Sequence, residues 1–301
     1  MEIGVCCSLE NARLAAAKGF NYVEVSASDM AAMEPWDSSV YAGLNVQATN
    51  LFLPGGVSVW TLPPAVVLAQ LRKFLPRANE VGVEVAVIGG GGQRNHPFTR
   101  EMWDARPIPF TPCSTPESAF GKLLYSAISA VYEEEHEAFL GDFVEAASEP
   151  PPTREQFHEQ LRNAIRSWMS PLLAPEALNR SETNLGNDCG KFATTLAYYG
   201  IPYTADVYHI LYEWDADGRE GGLAVPSEAF WEAQLPFAPV HVHLADLQGR
   251  AAPSAHDPMM AGFFRRLKAL DYQGRMSLEV RTPFDELNGA AEQIRLAYSQ
   301  S

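Results

Sequence analysis

Residues 240–246 read Val240-His241-Val242-His243-Leu244-Ala245-Asp246, a short β-branched run with histidine at alternate places and a carboxylate at its end. A period of two is that of a strand, so His241 and His243 share one face and the valines the other. Comparable runs recur along the chain at Ile3–Cys7, Tyr22–Ser26, Asn45–Thr49, Val83–Ile88, Leu172–Leu178, Tyr203–Val207 and Met276–Val280. Amphipathic stretches with helical character lie between them, at Leu9–Lys18, Pro64–Val81, Asp188–Tyr199, Ser227–Gln234 and Pro258–Leu270. Gly19 and Gly200 stand where a helix end favours left-handed backbone. Alternating strands and helices call for a parallel sheet with crossover helices, and eight strands is the barrel number. The expected fold is an α/β (β/α)8 TIM barrel. Its 301 residues form one domain over 1–301, somewhat above the roughly 250 residues typical of such a barrel.

One stretch breaks the rhythm. Between Ile88 and Leu172 lies more chain than a crossover requires, so the connection between strands four and five is expected to be enlarged by an insertion at about 95–170. It contains a proline-rich piece (Arg106 to Pro112), an acidic helix-like run (Ser126–Ala147) and Pro150-Pro151-Pro152. Two readings stand: a crossover with solvated surface elements, or an insertion over the catalytic mouth, where loops that follow strands emerge.

Composition narrows the function. With 47% hydrophobic residues the chain can bury a large core, and no apolar run approaches the roughly 18 residues of a membrane span. There are 22 basic against 37 acidic residues, a net charge of −15, which repels phosphate backbones and argues against a nucleic-acid partner. The same field suits a protein that concentrates a cation. Cys6, Cys7, Cys113 and Cys189 form no CxxC pair, and Cys6 and Cys7 read as small packing residues. The first residues enter a strand pattern with no basic or apolar leader, so the cytoplasm is the expected compartment.

Four strand candidates end in metal-ligand chemistry, with Glu176, Asp206, His243 and Glu279 as the candidate ligands. A lone acid near a strand end is usually a surface group, and a lone strand histidine is usually core. Four on successive strands, aimed at one barrel face, are hard to obtain from packing, because buried charges must be paired or bind metal. Carboxylates plus one imidazole suit one divalent ion, Mn²⁺ foremost with Mg²⁺ or Co²⁺ as alternatives, better than a structural zinc site. His241 reads as a donor behind the ligands or a core histidine, ahead of a fifth ligand. Asp246 reads as orienting a neighbour. Gly89–Gly92 either cradle a phosphate or let the backbone pass close to a ligand; the run lacks the GKS/T ending of a P-loop. Trp103, Trp168, Trp214 and Phe52 either wall a pocket or pack in the core.

Glu176-Ala177-Leu178-Asn179-Arg180-Ser181-Glu182-Thr183-Asn184, Asp206-Val207-Tyr208-His209 and the 240–246 run together resemble the xylose-isomerase-like barrel superfamily. Within it they resemble the sugar isomerase/epimerase branch of D-tagatose 3-epimerase, D-psicose 3-epimerase and hydroxypyruvate isomerase. Ile3-Gly4-Val5, Gly19 to Val25, Gly89–Gly92 with Arg94, and Asp271 to Arg275 fit the same resemblance, which covers nearly all of the chain outside 95–170. It implies one metal on Glu176, Asp206, His243 and Glu279, and substrate contacts from Glu182, His209 and Arg250. The branch usually has proline after the first ligand, whereas here Pro175 precedes it and Ala177 follows. A proline in a central strand forfeits a ladder hydrogen bond, so the strand is expected to kink or end there.

The resulting expectation is a metal-dependent isomerase or epimerase of a ketose or related polyhydroxy carbonyl compound. Glu176 and Glu279 serve as acid and base, the partner is a small sugar, and a homo-oligomer is compatible with the sequence. The rivals are a lyase or dehydratase on the same barrel, separable by its products, and a non-catalytic sugar-binding barrel. An apurinic-site endonuclease ranks below them, since it needs a multi-zinc cluster with more histidines.

Overall fold

The computed structural model describes residues 1–53, 55–56, 65–94, 116–135 and 171–301. Eight strands form one sheet: β1 (Ile3–Cys6), β2 (Tyr22–Ser26), β3 (Val46–Asn50), β4 (Val85–Ile88), β5 (Leu172–Pro175), β6 (Thr204–Asp206), β7 (His241–Leu244) and β8 (Arg275–Leu278). Their order is β5-β4-β3-β2-β1-β8-β7-β6, every ladder is parallel, and an isolated bridge from Glu176 to Thr204 closes the ring. This is the expected (β/α)8 barrel.

The weak seam lies between β5 and β6, and Pro175 accounts for it. Leu172 and Glu176 send their N–H groups toward β4, to Glu84 O at 2.8 Å and Ile88 O at 3.2 Å. Alternation therefore turns residue 175 toward β6, where a proline has no N–H to give. The strand ends there, as its sequence led one to expect.

Helices α1 (Leu9–Ala15), α2 (Ala27–Ala32), α3 (Ala65–Val81), α4 (Pro116–Glu135), α5 (Cys189–Tyr198), α6 (Val207–Ala216), α7 (Glu228–Gln234), α8 (Pro258–Ala269) and α9 (Ala290–Gln300) surround the sheet. Their starts are written in the sequence. Ser8, Ser26, Asp188, Asp206, Ser227 and Asp257 each accept a backbone N–H from the first turn of the helix that follows. Helix α4 packs between α3 and α5, the place of an ordinary crossover helix. It begins ten residues earlier than the acidic run pointed to. The rest of the expected insertion, 95–115 and 136–170, lies outside the described residues, as do Cys113, Trp103 and Trp168.

Aliphatic side chains on the outer faces of the strands join the helices in one large core. The interior is different. Val85, Val87 and Ala174 form a small separate apolar cluster on the β4–β5 side, but much of the rest is polar. Tyr22, Glu24, His241, His243 and Ser277 are all buried and linked by hydrogen bonds across the barrel. Barrel interiors are ordinarily filled by Val, Ile and Leu, so this interior is specialised. Gly4 makes room for it, because a Cβ there would lie 2.3 Å from the Tyr22 ring.

Candidate active site

Glu176 follows β5, Asp206 ends β6, His243 lies in β7 and Glu279 follows β8, so all four reach the C-terminal mouth. One oxygen or nitrogen from each lies within 4.8 Å of the others. His243 Nδ1 is 3.2 Å from Glu176 Oε1 and 3.3 Å from Glu279 Oε2. The four candidate ligands thus come together.

Asp206 has two tasks. Its Oδ1 accepts the N–H groups of Tyr208 (2.7 Å) and His209 (3.3 Å), capping α6, while Oδ2 faces the cluster. Asp206-Val207-Tyr208-His209 is thus a strand end and a helix start at once, which sets His209 one turn above Asp206 on the same side. Asp206→Asn keeps a cap acceptor and is expected to weaken metal binding with little loss of stability. Asp206→Ala is expected to lose the cap as well, at a further cost of about 1 kcal/mol. Urea denaturation with and without Mn²⁺ measures both, and a tight site surviving in the Asn variant would remove Asp206 from the ligand set.

His209 is held in one tautomer. Asn179 offers both its backbone N–H (3.3 Å) and its side-chain amide (2.7 Å) to Nδ1, and Asn179 Oδ1 in turn accepts from the Ser181 N–H at 2.9 Å. With Nδ1 accepting, the proton sits on Nε2, which is buried, has no hydrogen-bond partner among the described residues, and lies 3.5 Å from Asp206 Oδ2 and 3.9 Å from Glu176 Oε1. Burial lowers the imidazole to a pKa of about 4 against the opposing pull of Glu176. His209 is therefore a neutral donor at neutral pH.

Arg250 joins the acids from above. Its guanidinium pairs with Glu279, lies 3.3 Å from Asp206 Oδ2 and 3.5 Å from Glu182 Oε1, and stacks over Tyr208 at 4.9 Å. The backbone there is left-handed, φ 56° after Gly249 at φ 79°. Asp246 pins this loop by accepting the Ala251 N–H at 2.9 Å, the orienting role its sequence position pointed to. Glu182, half-buried, stands beside Arg250 at 3.5 Å, and burial raises its carboxyl.

Like charges crowd this mouth. Burial, then the Glu176 charge, push Asp206 well above the ordinary carboxylate range. Burial would raise Glu176 too, but His243 and His209 outweigh it and bring its carboxyl to about 2. Three carboxylates and an imidazole crowded at one point, with oxygen donors in the majority, are a fitting cage for a hard divalent ion.

Several partners escaped the sequence reading. Glu24 stands fully buried in β2, its oxygens 2.9 Å from His241 Nε2 and 2.9 Å from His243 Nε2. The signal was an acid in the middle of the apolar strand Tyr22–Ser26, where a buried charge needs a partner. His241 is buried and bonds Glu24 through Nε2, and it is not among the four converging candidate ligands. Arg94, fully buried, donates to Glu176 O at 2.7 Å. Gly89 lets Glu176 in, since a Cβ would lie 3.0 Å from Glu176 Oε2. Cys6 does not merely pack. It faces the site, where its thiol, Glu24 and His243 form a second convergent trio that shares His243. Trp214 and Phe52 are core residues.

Fold and site define a class: a (β/α)8 barrel carrying three carboxylates and an imidazole at its C-terminal mouth. Among solved structures the chain is similar to D-allulose 3-epimerase from Methylomonas sp., at 18% identity and a TM-score of 0.61, covering 99% of this chain and 98% of that one. It is similar to 3-keto-D-glucoside 4-epimerase from E. coli at 17% identity and a TM-score of 0.59, with 99% of each chain covered. Endonuclease IV from Thermus thermophilus matches at 14% identity and a TM-score of 0.51, over 100% of both chains. At such identities the likeness is one of fold, the fold that the resemblance to xylose-isomerase-like barrels implies. No family model and no curated protein matches the sequence.

Proposed function

We propose that this protein is a divalent-metal-dependent isomerase or epimerase acting on a ketose or related polyhydroxy carbonyl compound. The observation that carries the reading is the meeting of Glu176 from β5 and Glu279 from β8 on His243 Nδ1, beside Asp206. The two epimerases of similar fold support it. Glu176, Asp206, His243 and Glu279 would hold the ion, Mn²⁺ foremost. A bound divalent ion supplies Lewis acidity, which acidifies the carbon beside a carbonyl.

The chain's own groups do the rest. One of Glu176 and Glu279 takes the proton from that carbon, leaving an enediolate, and the other returns a proton to the opposite face. They come from strands separated by β6 and β7 in the ring, so they reach a central substrate from different sides. His209 donates from Nε2 to a substrate oxygen, Arg250 supplies positive charge to an oxygen that becomes more negative, and Glu182 accepts from a hydroxyl. The substrate is a small sugar, and the expected compartment remains the cytoplasm. Among the described residues no helix is long and apolar enough to cross a membrane.

An endonuclease role is disfavoured by the single imidazole among the converging ligands of the described residues and by the net charge of −15. The test is a ketose panel with Mn²⁺-loaded protein in D₂O, read by NMR. A new epimer or isomer carrying solvent deuterium is expected. A dehydrated or cleaved product would make the protein a lyase, and binding without turnover would make it a sugar-binding barrel.

A further inference from the structure

A carboxylate in the floor of this barrel demands a reason. Glu24 is 0% exposed and sits in the middle of β2, where a branched aliphatic residue would ordinarily fill the interior. Burying an ionised carboxylate is costly unless every oxygen is paired. Both are. Oε2 lies 2.9 Å from His241 Nε2, and Oε1 lies 2.9 Å from His243 Nε2. A carboxylate only accepts, so both ring nitrogens must carry the proton of these bonds.

That assignment has a consequence at the mouth. With Nε2 of His243 donating downward, the nitrogen left for the site is Nδ1, and it is Nδ1 that faces Glu176 and Glu279. We propose that Glu24 is a positioning residue for the candidate metal centre. Its two oxygens clamp the Nε2 edges of His241 and His243, fixing the ring of His243 so that Nδ1 is presented beside Glu176, Asp206 and Glu279. The inference rests on the metal reading of that site.

The polar interior continues below the clamp and braces it. His241 Nε2 also lies 3.2 Å from Ser277 Oγ, which is 2.9 Å from Tyr22 OH. The rings of His241 and His243 meet edge to face at 5.2 Å, so neither turns without the other. Tyr22, Glu24, His241 and Ser277 thus lead from the floor to one metal-facing nitrogen. A histidine ligand whose second nitrogen donates to a carboxylate has a fixed orientation and a more basic free nitrogen, and loss of such a partner typically weakens metal affinity 10–100-fold.

The experiment uses the full chain as wild type and as Glu24→Gln, which keeps the side chain's size and can donate as well as accept. Mn²⁺ affinity is measured by calorimetry, folding by thermal melting, and the ring nitrogens of His243 by ¹⁵N NMR of metal-free protein. The expected result is a cooperative melt, a 10–100-fold weaker Mn²⁺ affinity, and loss of a slowly exchanging His243 Nε2 proton that the wild type shows. A folded Gln variant that binds Mn²⁺ as the wild type does overturns the inference alone. A wild type that binds no Mn²⁺ overturns the metal reading and this inference with it. Should the variant not fold, the wild-type spectrum decides: a proton on His243 Nε2 supports the clamp, and a bare Nε2 overturns it.

Discussion

Glu279→Gln, assayed at saturating Mn²⁺, is expected to lower kcat by about two to four orders of magnitude, the usual scale for losing a general acid or base. The reason is local. The Gln side chain has the same size, and the main-chain carbonyl at 279 still accepts from Arg250 Nε, a bond of 3.2 Å in the structure. What disappears is a group that can take or give a proton within reach of a substrate beside His243. Glu176→Gln is expected to fall by a similar factor. The two variants also separate mechanisms. If one carboxylate serves each face, either variant loses epimerisation yet still exchanges the reacting hydrogen of one epimer with solvent, through the carboxylate that remains. Product formation and deuterium uptake, followed together for both epimers, give the pattern. Retention of the substrate hydrogen in the wild type would indicate a hydride shift, and near-normal turnover of the Gln variant would take Glu279 out of the chemistry.

Removing the metal is expected to have the other large effect. Treatment with a chelator should reduce turnover by about three orders of magnitude or more, because the acidity of the carbon beside the carbonyl depends on the Lewis acid. Added Mn²⁺ should restore it, at one ion per chain. Binding should also be visible in stability without any assay of activity. A ligand held by the folded state alone at about 100 times its Kd contributes roughly 2.7 kcal/mol, and Asp206→Asn should abolish most of that gain. Crowding of Glu176, Asp206 and Glu279 around His243 Nδ1 motivates the expectation. Unchanged turnover in chelator, with elemental analysis giving no ion, would refute it.

Much of the fold was legible because its signals are local. All eight strands and the five interstrand helices fell where period-two and period-3.6 patterns placed them, with ends shifted by a few residues. The helices overlooked show what such patterns omit. Helix α2 is only six residues long, and α6 begins within a sequence that also reads as the end of β6. There the capping power of Asp206 wins over the strand propensity of Val207 and Tyr208 once the barrel brings the chain to its rim. Pro175 was legible in the same local sense, since a missing N–H weakens a ladder in any context.

The site divides along a similar line. The sequence by itself offered the four candidate ligands, because carboxylate and imidazole chemistry belongs to the residue, while His209, Arg250 and Glu182 came only through the resemblance. Strand endings then told which face each would reach. What only the tertiary structure decided was the pairing. Glu24 meets His241 and His243 across 217 and 219 residues of chain, Asn179 sets the tautomer of His209 from another loop, and Cys6 turns toward the site rather than the core. Hydrogen-bond direction depends on where two backbones stand relative to each other, and in a closed barrel that is fixed only when the last strand joins the first.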